Sequence, residues 1–211
     1  MNGYQALVVD FGGVLTTPLQ ESFVLFAEAL GIELQDLVRV ALKAYTGDTD
    51  ALVVAFETGK ISDEEFSKQF AQRLTEETGV EVHPEGLVER MFGGIRLEEG
   101  MLDGVAAAKR HGLKTGLLSN SWGLSGYPRE RLAEIMDVIV ISGEVGMRKP
   151  DPEIFTFTTG ELGLPAEACV FVDDHPGHLQ AAQEAGMTTV LHRDPTQTLS
   201  ELETLLNIPL T

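Results

Sequence analysis

The chain has 211 residues, of which 43% are hydrophobic, and its 33 acidic against 15 basic residues give a formal net charge of −18. This length suits one domain, or one domain with a modest insertion, and allows a substantial core. The negative charge would repel a polyanion over most of the surface, so we expect no nucleic-acid partner.

The N-terminal segment MNGYQALVVDFGG has neither the basic region nor the long apolar region of a secretory signal, and no apolar run is long enough to span a membrane. We therefore expect a soluble, cytoplasmic protein with no membrane partner. The single cysteine, Cys169, lies in the apolar run AEACVFV, which predicts a buried thiol.

The first predicted element is a short buried strand, Ala6–Val9, and Asp10 follows it directly. In open α/β sheets, ligands bind beyond the carboxyl ends of the strands, so Asp10 is expected to point into that crevice. Gly12 and Gly13 come next and permit a tight turn whose backbone approaches a ligand closely. Asp10 is therefore the first candidate for a catalytic carboxylate.

The next region, residues 18–95, has helical periodicity and almost no strand pattern. Its predicted helices are Leu19–Leu30, Leu34–Tyr45, Asp48–Thr58, Ser62–Thr78 and Pro84–Phe92. Ser62 and Glu65 form a capping box. We expect an all-helical cap inserted into a core of residues 1–17 and 96–211, placed over the strand ends as a lid. The alternative is a helical domain that packs at the side.

The rest of the chain alternates predicted helices with short buried strands. A helix over Glu98–His111 comes first, and the strands are Lys114–Leu118, Asp137–Ile141, Cys169–Val172 and Thr188–Leu191. This alternation predicts an α/β fold, with a Rossmann-like parallel sheet covered by helices. The polar residues Ser119, Asn120, Asp173 and Asp174 follow strand ends, so they are expected to meet Asp10 at one edge of the sheet.

Asp173 and Asp174 stand side by side after an apolar strand. Two like charges there repel each other unless a cation or a hydrogen-bond donor compensates, which favours a metal site. Mg²⁺ prefers carboxylates, water and substrate phosphate as ligands. Lys149, in GMRKPDPEIF, is a candidate point charge for the same site, on a loop before a helix with Asp151 as N-cap and Pro152 as first residue.

Four segments at predicted strand ends together resemble the motifs of the haloacid dehalogenase (HAD) superfamily: DFGGVLTTP (10–18), LLSNSW (117–122), GMRKPDPEIF (146–155) and VFVDDHPG (170–177). The last three also resemble the phosphatase domain of soluble epoxide hydrolases and bacterial α-D-glucose-1-phosphate phosphatases. The resemblance covers essentially the whole chain and implies phosphoryl transfer through a covalent aspartyl-phosphate with Mg²⁺ as cofactor.

The resemblance implies a role for each matching residue. Asp10 would be the nucleophile, which is chemically sound because a carboxylate can attack phosphorus and form an acyl phosphate. The metal would be held by Asp10, the backbone carbonyl of Gly12, Asp174 and Asp173. Catalysis and substrate binding would involve Ser119, Asn120 through its amide N–H, Lys149 and Gly13, with hydrogen bonds that strengthen as charge builds on the phosphoryl oxygens.

Several further residues are open to two interpretations. Trp122 would line the substrate pocket or fill the core under the cap. His175 and His178 would act in proton transfer or simply begin a helix that faces solvent. The cap residues Lys43, Tyr45, His83, Arg90 and Arg96 are candidates for substrate recognition, although a solvated helix face would explain most of them equally well.

Gly12 departs from the resemblance, because phosphatases of this superfamily usually carry a second Asp there as general acid and base. Losing such a group commonly costs roughly a hundred- to ten-thousand-fold in rate. Three explanations stay open. The leaving group could depart without protonation by an acid, as in an anomeric or acyl phosphate, or another group, such as His175, could act as the acid and base. The third is that the protein binds phosphate and turns over very slowly. The bacterial sugar-1-phosphate phosphatases that the chain resembles also have Gly at this point.

We therefore expect a Mg²⁺-dependent phosphatase that acts on a small phosphorylated metabolite, for example a sugar phosphate, as a monomer or homodimer. A metal-free 2-haloacid dehalogenase is the second hypothesis, and the acidic pair Asp173–Asp174 argues against it. The third is a phosphate-binding regulatory protein whose catalysis is impaired at Gly12.

Overall fold

The structure is a computed structural model that describes residues 3–46, 51–123 and 126–211, while the side chains of residues 42–46 and 51 lie outside the description. Within these residues, one parallel sheet has the order β3-β2-β1-β4-β5. Its strands are β1 (Ala6–Val9), β2 (Lys114–Ser119), β3 (Val138–Ile141), β4 (Cys169–Asp173) and β5 (Thr188–Leu191). The predicted Rossmann-like α/β fold is confirmed, with strand ends within one residue of those expected.

The register brings the predicted site residues to one edge of the sheet. Val9 at the end of β1 pairs with Leu117 on one side and with Val172 on the other. The backbone N–H of Asp10 then donates to the carbonyl of Val172, at 2.9 Å. Asp10 and Asp173 therefore leave neighbouring strands at the same level, as the rule for parallel sheets requires.

Helices cover both faces of the sheet in the described part of the chain. They are α6 (Glu99–Arg110), α7 (Arg129–Ile135), α8 (Ser142–Val145), α9 (Pro152–Leu162), α10 (Pro176–Glu184) and α11 (Pro195–Leu206). Alternate residues of β1 enter different hydrophobic clusters: Leu7 and Val9 pack with α6 and α11, while Ala6 and Val8 pack with α9 and α10. Cys169 is fully buried in the second cluster, as predicted.

The predicted start of α9 is confirmed. Pro152 is the first helical residue and Asp151 occupies the N-cap position with an extended backbone, yet the Asp151 side chain makes no capping hydrogen bond. The fixed φ of proline and its missing N–H suit the first turn without such a bond. The predicted N-cap residue, Asp151, and the predicted first helical residue, Pro152, are therefore confirmed.

The insertion between β1 and β2 is helical throughout its described residues. Its helices are α1 (Leu19–Leu30), α2 (Leu34–Thr46), α3 (Ala51–Glu57), α4 (Asp63–Thr78) and α5 (Leu87–Phe92). A separate hydrophobic cluster, with Phe66 and Phe70 fully buried, forms its core. Ser62 caps α4 as predicted, since its hydroxyl accepts from the N–H of Glu65 at 3.2 Å. The predicted beginning of α3 at Asp48 lies outside the described residues.

Helix α5 is shorter than its predicted range, which began at Pro84. Gly86 precedes the helix with a left-handed φ of 60°, so the chain turns there before regular helix begins at Leu87. Sequence periodicity did not distinguish this turn from the helix.

The insertion joins the core through two chain segments that run side by side. Thr16 and Leu97 form an antiparallel bridge, and the N–H of Thr17 donates to the carbonyl of Arg96 at 2.8 Å. The boundaries at 17/18 and 95/96 stay a prediction, and this pairing supports them. No helix in the described residues is long and apolar enough to cross a bilayer.

Candidate active site

Lys149 is the centre of the site. Its side chain is fully buried, and its Nζ lies 2.9 Å from Oδ1 of Asp10 and 2.7 Å from Oδ2 of Asp173. Burial alone would lower the pKa of Lys149, but Asp10 and Asp173 outweigh this effect and raise the pKa above its usual value. Lys149 is therefore held as a charged ammonium between the ends of β1 and β4.

Asp10 lies at the end of β1 with 7% of its surface exposed. Its Oδ1 also accepts from the backbone N–H of Phe11, at 2.7 Å. Burial raises the pKa of Asp10 to about 8 although Lys149 opposes the shift, and the neighbouring Asp173 carboxylate adds to it. A carboxylate that is to act as a nucleophile must be ionised, so this position calls for more positive charge than Lys149 supplies.

Asp173 is completely buried and its two oxygens are already engaged. Besides Lys149, it accepts from the backbone N–H of His175 at 2.7 Å, and Nδ1 of His178 lies 3.1 Å from both carboxylate oxygens. Burial would raise the pKa of Asp173, but Lys149 and His178 hold it below its usual range. Asp173 is thus an ionised group that fixes Lys149 and the His178 ring.

Asp174 lies against the turn that follows Asp10. A Cβ placed on Gly13, whose φ is +74°, would come within 2.5 Å of Oδ2 of Asp174. The N–H of Gly13 donates to Oγ1 of Thr16 at 3.0 Å, so this amide closes the turn. Gly13 therefore lets the backbone adopt a left-handed turn and lets the Asp174 carboxylate approach it. Partial desolvation, with Asp173 beside it, raises the pKa of Asp174.

The donor set suits a hard divalent cation. The site combines three carboxylates, of Asp10, Asp173 and Asp174, with one ammonium, of Lys149. Burial lowers the pKa of His178, although its hydrogen bond to Asp173 opposes this shift. Burial raises the pKa of Asp10 and of Asp174, and the neighbouring Asp173 carboxylate adds to both shifts. Carboxylate oxygens are the ligands that Mg²⁺ prefers. Asp10, Asp173 and His178 each place one potential ligand atom within 4.8 Å of the others.

Ser119 and Asn120 lie at the end of β2, as expected. The Asn120 side chain accepts from the backbone N–H of Lys149 at 2.8 Å and donates to the Lys149 carbonyl at 2.9 Å. The side chain of Asn120 thus clamps the Lys149 loop, which leaves the predicted amide contact with substrate to its backbone N–H. Ser119 is buried, and its hydroxyl donates to the backbone carbonyl of Asn120 at 3.3 Å.

Tyr127 was not predicted from the sequence. Its hydroxyl lies 2.9 Å from Oγ of Ser119, and its ring packs on Phe11 with centroids 4.7 Å apart. Burial raises the pKa of Tyr127 to about 12, so the phenol stays protonated and can donate to Ser119. No local pattern marks this residue, because it lies in a loop and reaches Ser119 only through the fold.

Trp122 packs between the core and the insertion. Its ring centroid lies 5.4 Å from Phe92, 6.2 Å from Phe66 and 6.4 Å from Phe56, all of which belong to the insertion. These contacts favour the interpretation that Trp122 fills the core under the cap. Its expected role in lining the substrate pocket stays a prediction.

The proposed helix-start role of His175 has structural support. His175 is the N-cap residue of α10, where its ring nitrogen accepts from the N–H of Gly177 at 3.2 Å. Its ring also lies 4.5 Å from the His178 ring, between centroids. A proton-transfer role for either histidine stays a prediction.

Two candidate substrate-recognition residues of the cap are engaged elsewhere. The Arg90 guanidinium donates to the backbone carbonyl of His83, and Arg96 forms an exposed ion pair with Glu21 at 3.1 Å. These contacts favour a solvated surface for both arginines. The side chains of Lys43 and Tyr45 lie outside the described part of the chain.

Comparison with known proteins shows the family to which the chain belongs. A family model described as haloacid dehalogenase-like hydrolase matches residues 4–186. The chain is 28% identical over 221 residues to bifunctional epoxide hydrolase 2 of Sus scrofa, and the alignment covers 98% of this chain and 39% of that protein. The chain thus spans well under half the length of this relative.

Solved structures share the fold. A predicted HAD-like hydrolase from Porphyromonas gingivalis has a TM-score of 0.73 at 24% identity, over 97% of this chain and 98% of its own. A HAD family enzyme from Bacteroides thetaiotaomicron, solved in complex with magnesium and inorganic phosphate, has a TM-score of 0.62 at 22% identity, over 90% of this chain and 95% of its own.

Proposed function

Since the chain belongs to the haloacid dehalogenase-like hydrolases, we propose that it is a Mg²⁺-dependent phosphatase that hydrolyses a small phosphorylated metabolite. Sugar phosphates are the first class to test. The observation that carries this proposal is the Lys149 ammonium held between Asp10 and Asp173, with Asp174 beside them and Ser119 on the neighbouring strand.

Asp10 is the nucleophile of the first step. One of its carboxylate oxygens attacks phosphorus, the bond from phosphorus to the leaving oxygen breaks, and that oxygen departs with the electron pair. The products are an aspartyl-phosphate and the dephosphorylated substrate, which takes up a proton. Ser119 and Lys149 would donate hydrogen bonds to the phosphoryl oxygens as their charge grows, and the Ser119 hydroxyl would turn there from the Asn120 carbonyl.

Water completes the reaction in the second step. It attacks the aspartyl-phosphate, releases inorganic phosphate and a proton, and returns Asp10 to its carboxylate form. Covalent catalysis of this kind divides one difficult hydrolysis into two easier steps. The helical insertion, which packs against Trp122, would exclude bulk water while the acyl phosphate exists.

Mg²⁺ would be held by Asp10, Asp174 and the backbone carbonyl of Gly12. When bound, the ion would supply the positive charge that lets an anionic carboxylate meet an anionic phosphate. Asp173 was predicted as a further ligand, but its oxygens already accept from Lys149, His175 and His178. We therefore assign Asp173 chiefly to holding Lys149. The magnesium and phosphate bound in the Bacteroides enzyme support this cofactor.

The test is phosphate release by the purified protein. We expect activity with Mg²⁺ on p-nitrophenyl phosphate or on members of a sugar phosphate panel, and its loss with EDTA and in Asp10→Asn. Chloride release from a 2-haloacid without Mg²⁺ would instead indicate the dehalogenase hypothesis. Binding of phosphate or vanadate with Mg²⁺, but no turnover across the panel, would indicate a regulatory protein.

A further inference from the structure

Glu57, the last residue of α3, is a buried acid that points from the insertion into the core. Its side chain is 1% exposed, and its Oε2 lies 2.7 Å from Nε of Arg148, whose side chain is 14% exposed. Burying two charges is costly unless they are closely paired. This ion pair therefore holds only while the insertion and the core are in contact.

A second contact links the same part of the insertion to the core. The Ser142 hydroxyl donates to the backbone carbonyl of Glu57 and accepts from the N–H of Ser121 at 2.7 Å. Close by, a Cβ placed on Gly59 would come within 2.2 Å of the Gly143 carbonyl oxygen, so only glycine allows this approach. The insertion is thus seated closely on the start of α8.

Two of the core residues in these contacts, Arg148 and Ser121, belong to the two loops that carry the site. Arg148 immediately precedes Lys149, and Ser121 follows Ser119 and Asn120. The two loops are themselves joined, because the Asn120 side chain bonds to both backbone groups of Lys149. The contacts of Glu57 therefore reach the ammonium and the hydroxyl of the site through short covalent and hydrogen-bonded links.

We propose that Glu57 is a positioning residue, contributed by the insertion, that holds the Lys149 loop through Arg148 and the Ser119–Ser121 loop through Ser142. This inference rests on the proposed phosphatase function. In this arrangement the seated insertion neutralises Arg148, and the site loops take their working geometry when the insertion is seated. Contact between the insertion and the core therefore stabilises the two loops, and ordered loops in turn stabilise that contact. The reason is that the buried Glu57–Arg148 ion pair belongs to both.

The principal variant is Glu57→Gln, which keeps the shape of the side chain and removes the negative charge that pairs with Arg148. We expect kcat to fall by roughly ten- to a hundredfold, with a much smaller change in KM, because a displaced Lys149 affects the reaction more than binding. The matched control is Glu77→Gln, since Glu77 pairs at 2.6 Å with the exposed Arg39, also within the insertion. We expect this control to behave as the wild type.

A double variant distinguishes the loss of charge pairing from a general loss of structure. Glu57→Gln/Arg148→Gln removes both charges, so it should recover part of the kcat that Glu57→Gln loses. Ser142→Ala removes the hydroxyl that joins the Glu57 carbonyl to the Ser121 N–H. It should also lower kcat, by a smaller factor than Glu57→Gln does. It serves as the test if Glu57→Gln does not fold.

Trp122 is the single tryptophan of the chain and reports directly on the seating of the insertion. Its ring contacts Phe56, Phe66 and Phe92, so loss of seating exposes the indole to water and moves its emission to longer wavelength. We expect this shift in Glu57→Gln but not in Glu77→Gln. A folded Glu57→Gln variant with wild-type emission and wild-type kcat would overturn the inference.

The two proposals fail in different ways. If the wild-type protein releases no phosphate from any ester, the proposed function fails, and the Trp122 emission still decides whether Glu57 seats the insertion. If the wild type is active and Glu57→Gln matches it, the proposed function stands and the role of Glu57 is wrong.

Discussion

Leu19, the first residue of α1, lies directly against Gly12 in the turn after Asp10. A Cβ placed on Gly12 would come within 3.3 Å of Cδ2 and 3.4 Å of Cδ1 of Leu19. The family resemblance places a general acid at this position, whereas here an apolar side chain of the insertion lies there. In the proposed reaction, the leaving group would therefore meet a different surface from the one that a second aspartate would provide.

Restoring the acid should change which esters the protein hydrolyses. Gly12→Asp should raise kcat/KM on alkyl phosphates, whose leaving groups need a proton, and Gly12→Asp/Leu19→Ala should raise it further because the carboxylate has room. We expect a gain of about tenfold or more for the double variant, with little change on p-nitrophenyl phosphate. The measurement is the ratio of kcat/KM for the two substrates, with Leu19→Ala as control. Equal or lower alkyl phosphate rates in folded variants would show that the site supplies the proton in another way.

The neighbouring carboxylates Asp173 and Asp174 should respond differently to the same substitution. Asp173→Asn leaves the buried Lys149 with Asp10 alone, so we expect the free energy of unfolding to fall by about 3 kcal/mol. Asp174→Asn should keep its stability but need a much higher Mg²⁺ concentration for activity, because the substitution weakens a proposed Mg²⁺ ligand. Urea unfolding and Mg²⁺ titration of activity measure the two effects. Equal changes in both variants would refute this division of roles.

The Tyr127 hydroxyl should contribute to turnover through Ser119. Tyr127→Phe removes one hydrogen bond, worth about 1 kcal/mol, which corresponds to roughly fivefold in kcat. Tyr4→Phe is the matched control, because it removes a phenol that bonds to Thr188 at 3.0 Å, on β5. We expect full activity from the control in a steady-state assay. A Tyr127→Phe variant as active as the control would leave Tyr127 a packing role only.

The turn at Gly13 should not tolerate a side chain. Gly13→Ala would place a methyl group 2.5 Å from the Asp174 carboxylate and force alanine to a φ of +74°, so we expect loss of both Mg²⁺ affinity and activity. Gly31→Ala meets the same backbone restriction, at +69°, with nothing within 4 Å. It should lose about 1 to 2 kcal/mol of stability and keep its activity. The measurement is the Mg²⁺ dependence of activity in the two variants. Similar Mg²⁺ affinities would refute the close approach of the Asp174 carboxylate to Gly13.

Sequence patterns predicted the strands better than the ends of the helices. Thr188–Leu191 was predicted to the residue, since a short β-branched run in a buried sheet has few alternatives. The start of α5 was missed because the turn at Gly86 follows helical periodicity without being helix. The start of α9 was predicted correctly at Asp151 and Pro152, because proline at the first helical position marks where a helix begins.

The sequence by itself determined the α/β class, the helical insertion and the meeting of Asp10, Ser119, Lys149 and Asp173 at one sheet edge. Hydrophobic periodicity and strand order carry this information, because parallel strands end at the same edge. Only the tertiary structure decided that Asp173 holds Lys149, that Tyr127 reaches Ser119 and that Leu19 covers Gly12. Such contacts join side chains from separate elements, and their distances depend on packing that no local pattern of residues encodes.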